Sequence, residues 1–171
     1  LNRPSGLNAL TLPMVRLLLQ QLHAWEQDPQ ILAVVLRATG EKAFCAGGDI
    51  RMLYDSYQSG NNQHEIFLEE EYALDEYIHG YPKPIMALMD GFVLGGGMGL
   101  VCSSDFVVAG ASAKFLAGAT RVAMVPDAGV SVTLTQLVGL RKAMEILMLN
   151  PVITAREALD MGLITRVADD D

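Results

Sequence analysis

Three observations predict an α/β fold, with a parallel or mixed sheet covered by helices. Short apolar runs of strand length alternate along the chain with segments of helical period. Two of the junctions between them are glycine-rich strand-to-helix turns, one at Gly47-Gly48 and one at Gly95-Gly96-Gly97. The 171 residues are 51% hydrophobic and 19% charged, enough apolar mass for one packed core. No internal repeat, low-complexity segment or linker interrupts this pattern, so a single domain over 1–171 is expected.

The elements follow in order. Leu1–Leu10 reads as the tail of a strand and a loop around Pro4 and Gly6. Thr11 is placed to N-cap a helix with Pro13 in its first turn. Met14, Leu17, Leu18, Leu22 and Trp25 then recur at helical spacing as its core face. Asp28-Pro29 ends that helix, and Ile31–Leu36 is a continuous apolar run of the kind found in buried parallel strands. After the turn at 40–49 a helical pattern runs through Tyr57, and Gln58–Gln63 is a polar loop. Glu65–His79 is a helix with Phe67, Leu74 and Ile78 on its apolar side; its acidic run Glu69-Glu70-Glu71 reads as a solvated face. Ile85–Met89, between Pro84 and Asp90, is a buried strand, and Met98–Cys102 is helix-compatible. Phe106–Ala109 and Lys114–Leu116 are short strands. Val125–Gly129 interrupts the apolar pattern before helices at Val130–Leu137 and Leu140–Leu149. Thr154 and Glu157 form a capping box, Gly162 is placed as a C-cap, and Ile164–Val167 reads as a last strand before an acidic tail.

Charge and composition narrow the function. A net charge of −8 and a pI near 4.8 argue against a nucleic-acid partner. The apolar stretch 84–101 does not read as a membrane span, because it holds five glycines, and Asp90 in hydrocarbon would cost ~2.5–3.5 kcal/mol. Cys45 and Cys102 do not make a disulfide framework; reduced thiols, no signal-peptide pattern and a cytoplasmic location are expected. His23, His64 and His79 have neither metal-ligand spacing nor a nucleophile partner, so no metal is expected. Cys45 reads as a packed thiol, and Asp49 as a helix cap.

The glycine turns carry the chemistry. Consecutive glycines let a ligand approach backbone N–H groups with no Cβ in the way, and a strand-to-helix turn leaves such groups unpaired. Neither a dinucleotide fingerprint nor a P-loop is present. An oxyanion hole needs two donors aimed at one point; the two turns would each supply one, Gly48 N–H and Gly96 N–H. The alternative reading is a pair of tight turns with close packing.

These residues resemble the crotonase (enoyl-CoA hydratase/isomerase) superfamily. The resemblance rests on LNRP and LNAL near the start, AFCAGGDI at 43–50, DGFVLGGGMGL at 90–100, PDAG at 126–129 and the ITAREALDMGLI run. Up to about residue 101 the chain is most similar to the 3-hydroxyisobutyryl-CoA hydrolase branch, through WEQDP, AFCAGGDIR and IHGYPKP; from about 105 it is more similar to enoyl-CoA isomerases and hydratases. The resemblance implies a crotonase-like fold of repeated β-β-α units, a homo-oligomer (trimer or hexamer), and acyl-CoA thioesters as substrates, with no cofactor beyond the coenzyme A of the substrate. It puts the family's oxyanion hole on Gly48 and Gly96 and its CoA contacts on the backbone near Leu7, Ala9 and Ala46. It also implies that the first strand residues and a C-terminal helical tail lie beyond this sequence. The two glutamates of the hydratases fall on Gly99 and Ala119, so ordinary hydration is not expected.

Asp127 is the carboxylate that remains in the family pattern. It is the candidate acid/base for an enoyl-CoA double-bond isomerase, moving a proton from C2 to C4 while the hole holds the enolate. The residue-level alternative is that Asp127 N-caps the following helix. At the level of function the alternatives are a 3-hydroxyisobutyryl-CoA-type hydrolase, or a CoA-thioester binder with weak catalysis. Arg3, Lys42, Arg51, Lys83 and Arg121 are candidates for the CoA phosphates.

Overall fold

A computed structural model describes residues 1–170. The chain repeats one unit three times: a strand, a tight bend, a short second strand, and a helix. The units are β1 (Val34–Arg37), β2 (Ala43–Cys45) and α2 (Ile50–Gln58); β3 (Ile85–Met89), β4 (Phe92–Leu94) and α4 (Gly96–Ser103); and β5 (Phe106–Gly110), β6 (Lys114–Leu116) and α5 (Val130–Val138). The first strands of the units pair with one another in parallel, in the order β1-β3-β5, with β8 (Arg166–Ala168) at the far edge. The second strands build another sheet, β2-β4-β6, closed by an antiparallel β7 (Ile153–Thr154). Helix α1 (Leu12–Gln27) precedes the units, α3 (Gln63–His79) joins the first to the second, and α6 (Leu140–Leu149) and α7 (Ala155–Asp160) follow the third.

Gly91 makes the bend between β3 and β4 possible. Its φ is +68°, and a Cβ there would stand 2.3 Å from Lys42 O, so the two units touch backbone to backbone at this point. Phe44, Phe67, Phe115, Leu10, Met98 and Leu100 are fully buried where the two sheets and helices α3 and α4 meet.

Several elements depart from the sequence reading. The strand expected over Ile31–Leu36 is Val34–Arg37; Leu32 is 81% and Val35 53% exposed. The residues of β1 alternate buried and exposed, so only one of its faces is covered. In α1 the fully buried residues are Leu12, Val15 and Leu22, and Met14, Leu18 and Trp25 pack against the core as expected; of the predicted stripe only Leu17, 64% exposed, lies outside it. Thr11 occupies the N-cap of α1 without a side-chain cap bond. The last strand begins two residues later than expected, at Arg166. Strands β2 and β4 were not legible as strands, because three residues beside a glycine turn are too short to show a period. The capping box at Thr154 and Glu157 is present.

Candidate active site

Gly48 and Gly96 come together from two different units. Leu10 bonds to both backbone neighbours of Gly48, accepting from Asp49 N–H and donating to Gly47 O. In such a parallel bridge the N–H of Gly48 itself faces the other side. Gly96 is the first residue of α4, where helical N–H groups lack intrahelical acceptors and the helix dipole is positive. A Cβ built on Gly96 would stand 3.6 Å from Gly48 N, and one on Gly47 2.7 Å from Gly96 N. Among the described residues, neither Gly48 N–H nor Gly96 N–H appears in a loop, cap or side-chain hydrogen bond. Two unpaired donors side by side can hold one developing negative charge on a carbonyl oxygen.

The carboxyls nearest this pair come from α3, and here the structure corrects the sequence reading. The run Glu69-Glu70-Glu71 is not a uniformly solvated face. Glu70 pairs with Arg16 of α1 at 2.6 Å, whereas Glu71 is 4% exposed. Phe67, Glu71, Leu74, Asp75 and Ile78 form the buried stripe of α3, at the i, i+4, i+7, i+8 spacing of one helix face. Glu71 Oε1 lies 2.8 Å from the Cβ position of Gly96 and 3.8 Å from that of Gly48. It has no hydrogen-bond partner among the described residues. Burial pushes the Glu71 carboxyl up to about 7, with Asp127 adding to the shift. A carboxyl poised there exchanges protons near neutral pH.

Asp127 stands across from Glu71, half-buried, and accepts a hydrogen bond from Tyr72 Oη at 2.9 Å. Its side chain does not cap α5: the N-cap is Gly129, and what Asp127 contributes there is its backbone oxygen, to Val130 N–H. The Tyr72 phenol is pushed up by burial and by this bond, so it stays a donor. Glu71, Asp127, Gly48 and Gly96 border one cavity of about 280 Å³. The rest of its wall is mainly apolar, with Ile50, Leu53, Leu68, Leu116, Val122 and Met124, and Ala119 lies in it as well.

The other expected site residues are placed as follows. Ala46 borders the same cavity, and its N–H donates to Leu7 O at 3.1 Å. Leu7 takes a left-handed φ of 53°, and Ala9 is buried with its oxygen near Arg3 Nη1 at 3.3 Å. These three backbones therefore form one strip leading to the glycine pair. Of the candidate phosphate cations, Arg3 is paired with Asp49 at 2.7 Å. Lys83 donates to Trp25 O and Asp28 O, and Arg121 to Asn150 O. Asp49 caps α2 by accepting from Met52 N–H at 3.2 Å. Cys45 is buried and its thiol is pushed up to about 12, so it carries no thiolate near neutral pH. His23 stacks on Tyr77, and His64 bonds to Ser56 Oγ. Glu71, Tyr72 and Asp75 escaped the sequence reading. A Phe67/Glu71 pair four residues apart, inside an otherwise amphipathic helix, was the available signal.

Two glycine N–H groups, one of them at the start of α4, and two carboxyls thus share one mainly apolar cavity in an α/β protein. The chain belongs to the enoyl-CoA hydratase/isomerase family, whose model matches residues 1–171. It is 44% identical over 139 residues to the mitochondrial 3-hydroxyisobutyryl-CoA hydrolase of Xenopus tropicalis, covering 81% of this chain and 36% of that protein. To the Gallus gallus protein of the same name it is 38% identical over 170 residues, covering 99% of this chain and 44% of the relative. The chain thus spans less than half the length of these curated relatives. The crystal structure of an enoyl-CoA hydratase from Bacillus anthracis superposes with a TM-score of 0.90 at 31% identity, covering 99% of this chain and 64% of that one. The fold is therefore crotonase-like, as the resemblance implied. No helix among the described residues is long and apolar enough to cross a membrane.

Proposed function

We propose that this chain hydrolyses short 3-hydroxyacyl-CoA thioesters. The observation that carries the reading is the orphaned Glu71 Oε1 at the glycine pair. A buried carboxyl oxygen without a partner is costly. A hydroxyl on the acyl chain would supply the missing donor, and a plain enoyl chain would not. The relatives at 38–44% identity, both 3-hydroxyisobutyryl-CoA hydrolases, support the same reading.

In this mechanism the thioester oxygen sits between Gly48 N–H and Gly96 N–H. Asp127, held by Tyr72, takes a proton from water, and the hydroxide oxygen bonds to the thioester carbon. The negative charge moves to the oxygen in the hole, where each donor is typically worth ~2.7–4 kcal/mol in the transition state. When that charge returns, the carbon–sulfur bond breaks. The proton held by Asp127 goes to the departing sulfur, and the products are a 3-hydroxy acid and free CoA thiol. Glu71 accepts from the substrate hydroxyl and fixes the acyl chain, which is a binding and orienting role.

A second reading is enoyl-CoA isomerisation, favoured by Ala119 in the cavity wall, where the resemblance puts a glutamate in hydratases and hydrolases. There one carboxylate would move a proton from C2 to C4. Steady-state assay with a 3-hydroxyacyl-CoA and with the matching 3-enoyl-CoA separates the two: thiol release supports the hydrolase, and a shifted double bond without thiol release supports the isomerase.

A further inference from the structure

We propose that Asp75 is a positioning residue for Glu71: a carboxyl that keeps its proton, so that the buried pair carries one negative charge and not two. This rests on the reading of Glu71 as the group that meets the substrate.

The two side chains lie one helical turn apart on the same face of α3, and each is 4% exposed. Neither Asp75 oxygen has a hydrogen-bond partner among the described residues, and Glu71 Oε1 has none either. Each is seated against a glycine of α4. A Cβ on Gly96 would stand 2.8 Å from Glu71 Oε1, and a Cβ on Gly99 would stand 3.1 Å from Asp75 Oδ2. The space beside position 99 is thus closed by Asp75 on one side and on the other by Ala128, whose oxygen would be 2.8 Å away. Position 99 is where the resemblance puts a hydratase glutamate. Here the carboxyl beside it comes from α3 and is walled off from the cavity.

The groups that act on Asp75 include no cation. They are Glu71 on its own helix and Asp127 before α5, with the thiols of Cys45 and Cys102 and the phenol of Tyr72 also within electrostatic reach. No ion pair among the described residues involves Glu71 or Asp75. Two like charges in a dry space without a counter-ion do not both form, and such a pair retains a proton. Burial pushes both carboxyls up, with Asp127 adding to each shift, but Glu71 borders the cavity, where water or substrate can meet its charge, and Asp75 is not part of that wall. The first proton to leave the pair therefore leaves Glu71, and Asp75 stays neutral behind it. At higher pH the second ionisation puts two charges against α4 and the glycine pair, and activity falls.

The test combines an infrared titration with a pH–rate profile. Wild-type protein at pH 8 is expected to show a protonated carboxyl C=O band that shifts on 13C-aspartate labelling and is missing from Asp75→Asn. Labelling makes the result readable even if that variant folds poorly. In Asp75→Asn the acid limb of kcat/KM for a 3-hydroxyacyl-CoA stays in place and the alkaline limb is lost. A spectrum at pH 8 in which no carboxylic acid band shifts on 13C-aspartate labelling, or an alkaline limb that survives the substitution, overturns the proposal. The infrared arm needs no substrate. Failure of the hydrolase reading therefore leaves that arm intact, and failure of the Asp75 proposal leaves thioester turnover intact.

Discussion

Glu71 Oε1 lies 2.8 Å from the point where a Cβ on Gly96 would stand. The carboxyl and the N–H donor at the start of α4 therefore share one pocket of space, and a methyl group cannot be added to one without displacing the other. Gly96→Ala should fold, because the atom met first is the end of a flexible side chain. It should lose about 10²-fold in kcat, the size of effect that an ångström-scale misplacement of reacting groups produces. Thioester turnover by the variant, compared with its thermal midpoint, checks this: a large fall in kcat with a small change in midpoint is the expected result.

The raised pKa of Glu71 ties stability to pH. Below the ordinary carboxyl value of 4.5 the group is protonated in both folded and unfolded chains, and its burial carries no charge penalty. Between 4.5 and about 7 the folded state holds the proton that the unfolded chain releases, so Glu71's contribution to stability falls as pH rises through that window and levels off above it, while Asp75, also raised, adds a fall of its own that continues beyond it. The shift corresponds to on the order of 3 kcal/mol. Glu71→Gln removes Glu71's share of that slope. Urea unfolding should find the variant more stable than wild type at pH 8 and little different at pH 4, while thioester hydrolysis at pH 8 is weakened, because the amide oxygen accepts a weaker hydrogen bond from the substrate hydroxyl than a carboxylate does.

Tyr72 donates to Asp127 at 2.9 Å and, at 39% exposure, does so near water. Tyr72→Phe removes that donor and leaves the ring. A hydrogen bond to a charged group is worth ~1.5–3 kcal/mol, and solvent access puts this one at the low end, so kcat should fall roughly tenfold with KM little changed. Steady-state kinetics of the variant checks it. If Asp127 does not touch the reaction, neither constant moves.

Much of this was legible in the sequence. The strand-to-helix glycine turns named Gly48 and Gly96, because runs of glycine report backbone geometry directly. Asp127 stood out only through the family resemblance, because the turn that Pro126 and Gly129 frame suits a helix cap equally well. The carboxyls of α3 were not legible. Within Glu69-Glu70-Glu71 nothing local separates the residue paired with Arg16 from the one buried against Gly96; that difference is made by α4, which packs on α3 from a distant part of the chain. Leu17 was misplaced for a related reason. Several leucines of α1 fit a helical stripe, and only the partner, α3, decides which face is inside.

Gly99 is a sharper case. A Cβ there would meet Ala128 O at 2.8 Å, Ala128 Cβ at 2.9 Å and Asp75 Oδ2 at 3.1 Å. Backbone does not yield as a side-chain end does. Gly99→Glu should therefore not install hydratase activity; it should destabilise the protein by ~1–3 kcal/mol or more through overpacking. Chemical denaturation together with a 2-enoyl-CoA hydration assay checks both halves of that statement.

The most direct measurement incubates the protein separately with 3-hydroxyisobutyryl-CoA and with a 3-enoyl-CoA of similar length, following free thiol and double-bond position together, in wild type and in Glu71→Gln. Thiol release from the hydroxyacyl thioester, weakened in Glu71→Gln, with the enoyl thioester left unchanged, is the expected result. A shifted double bond without thiol release, or hydrolysis that Glu71→Gln leaves intact, would contradict the account.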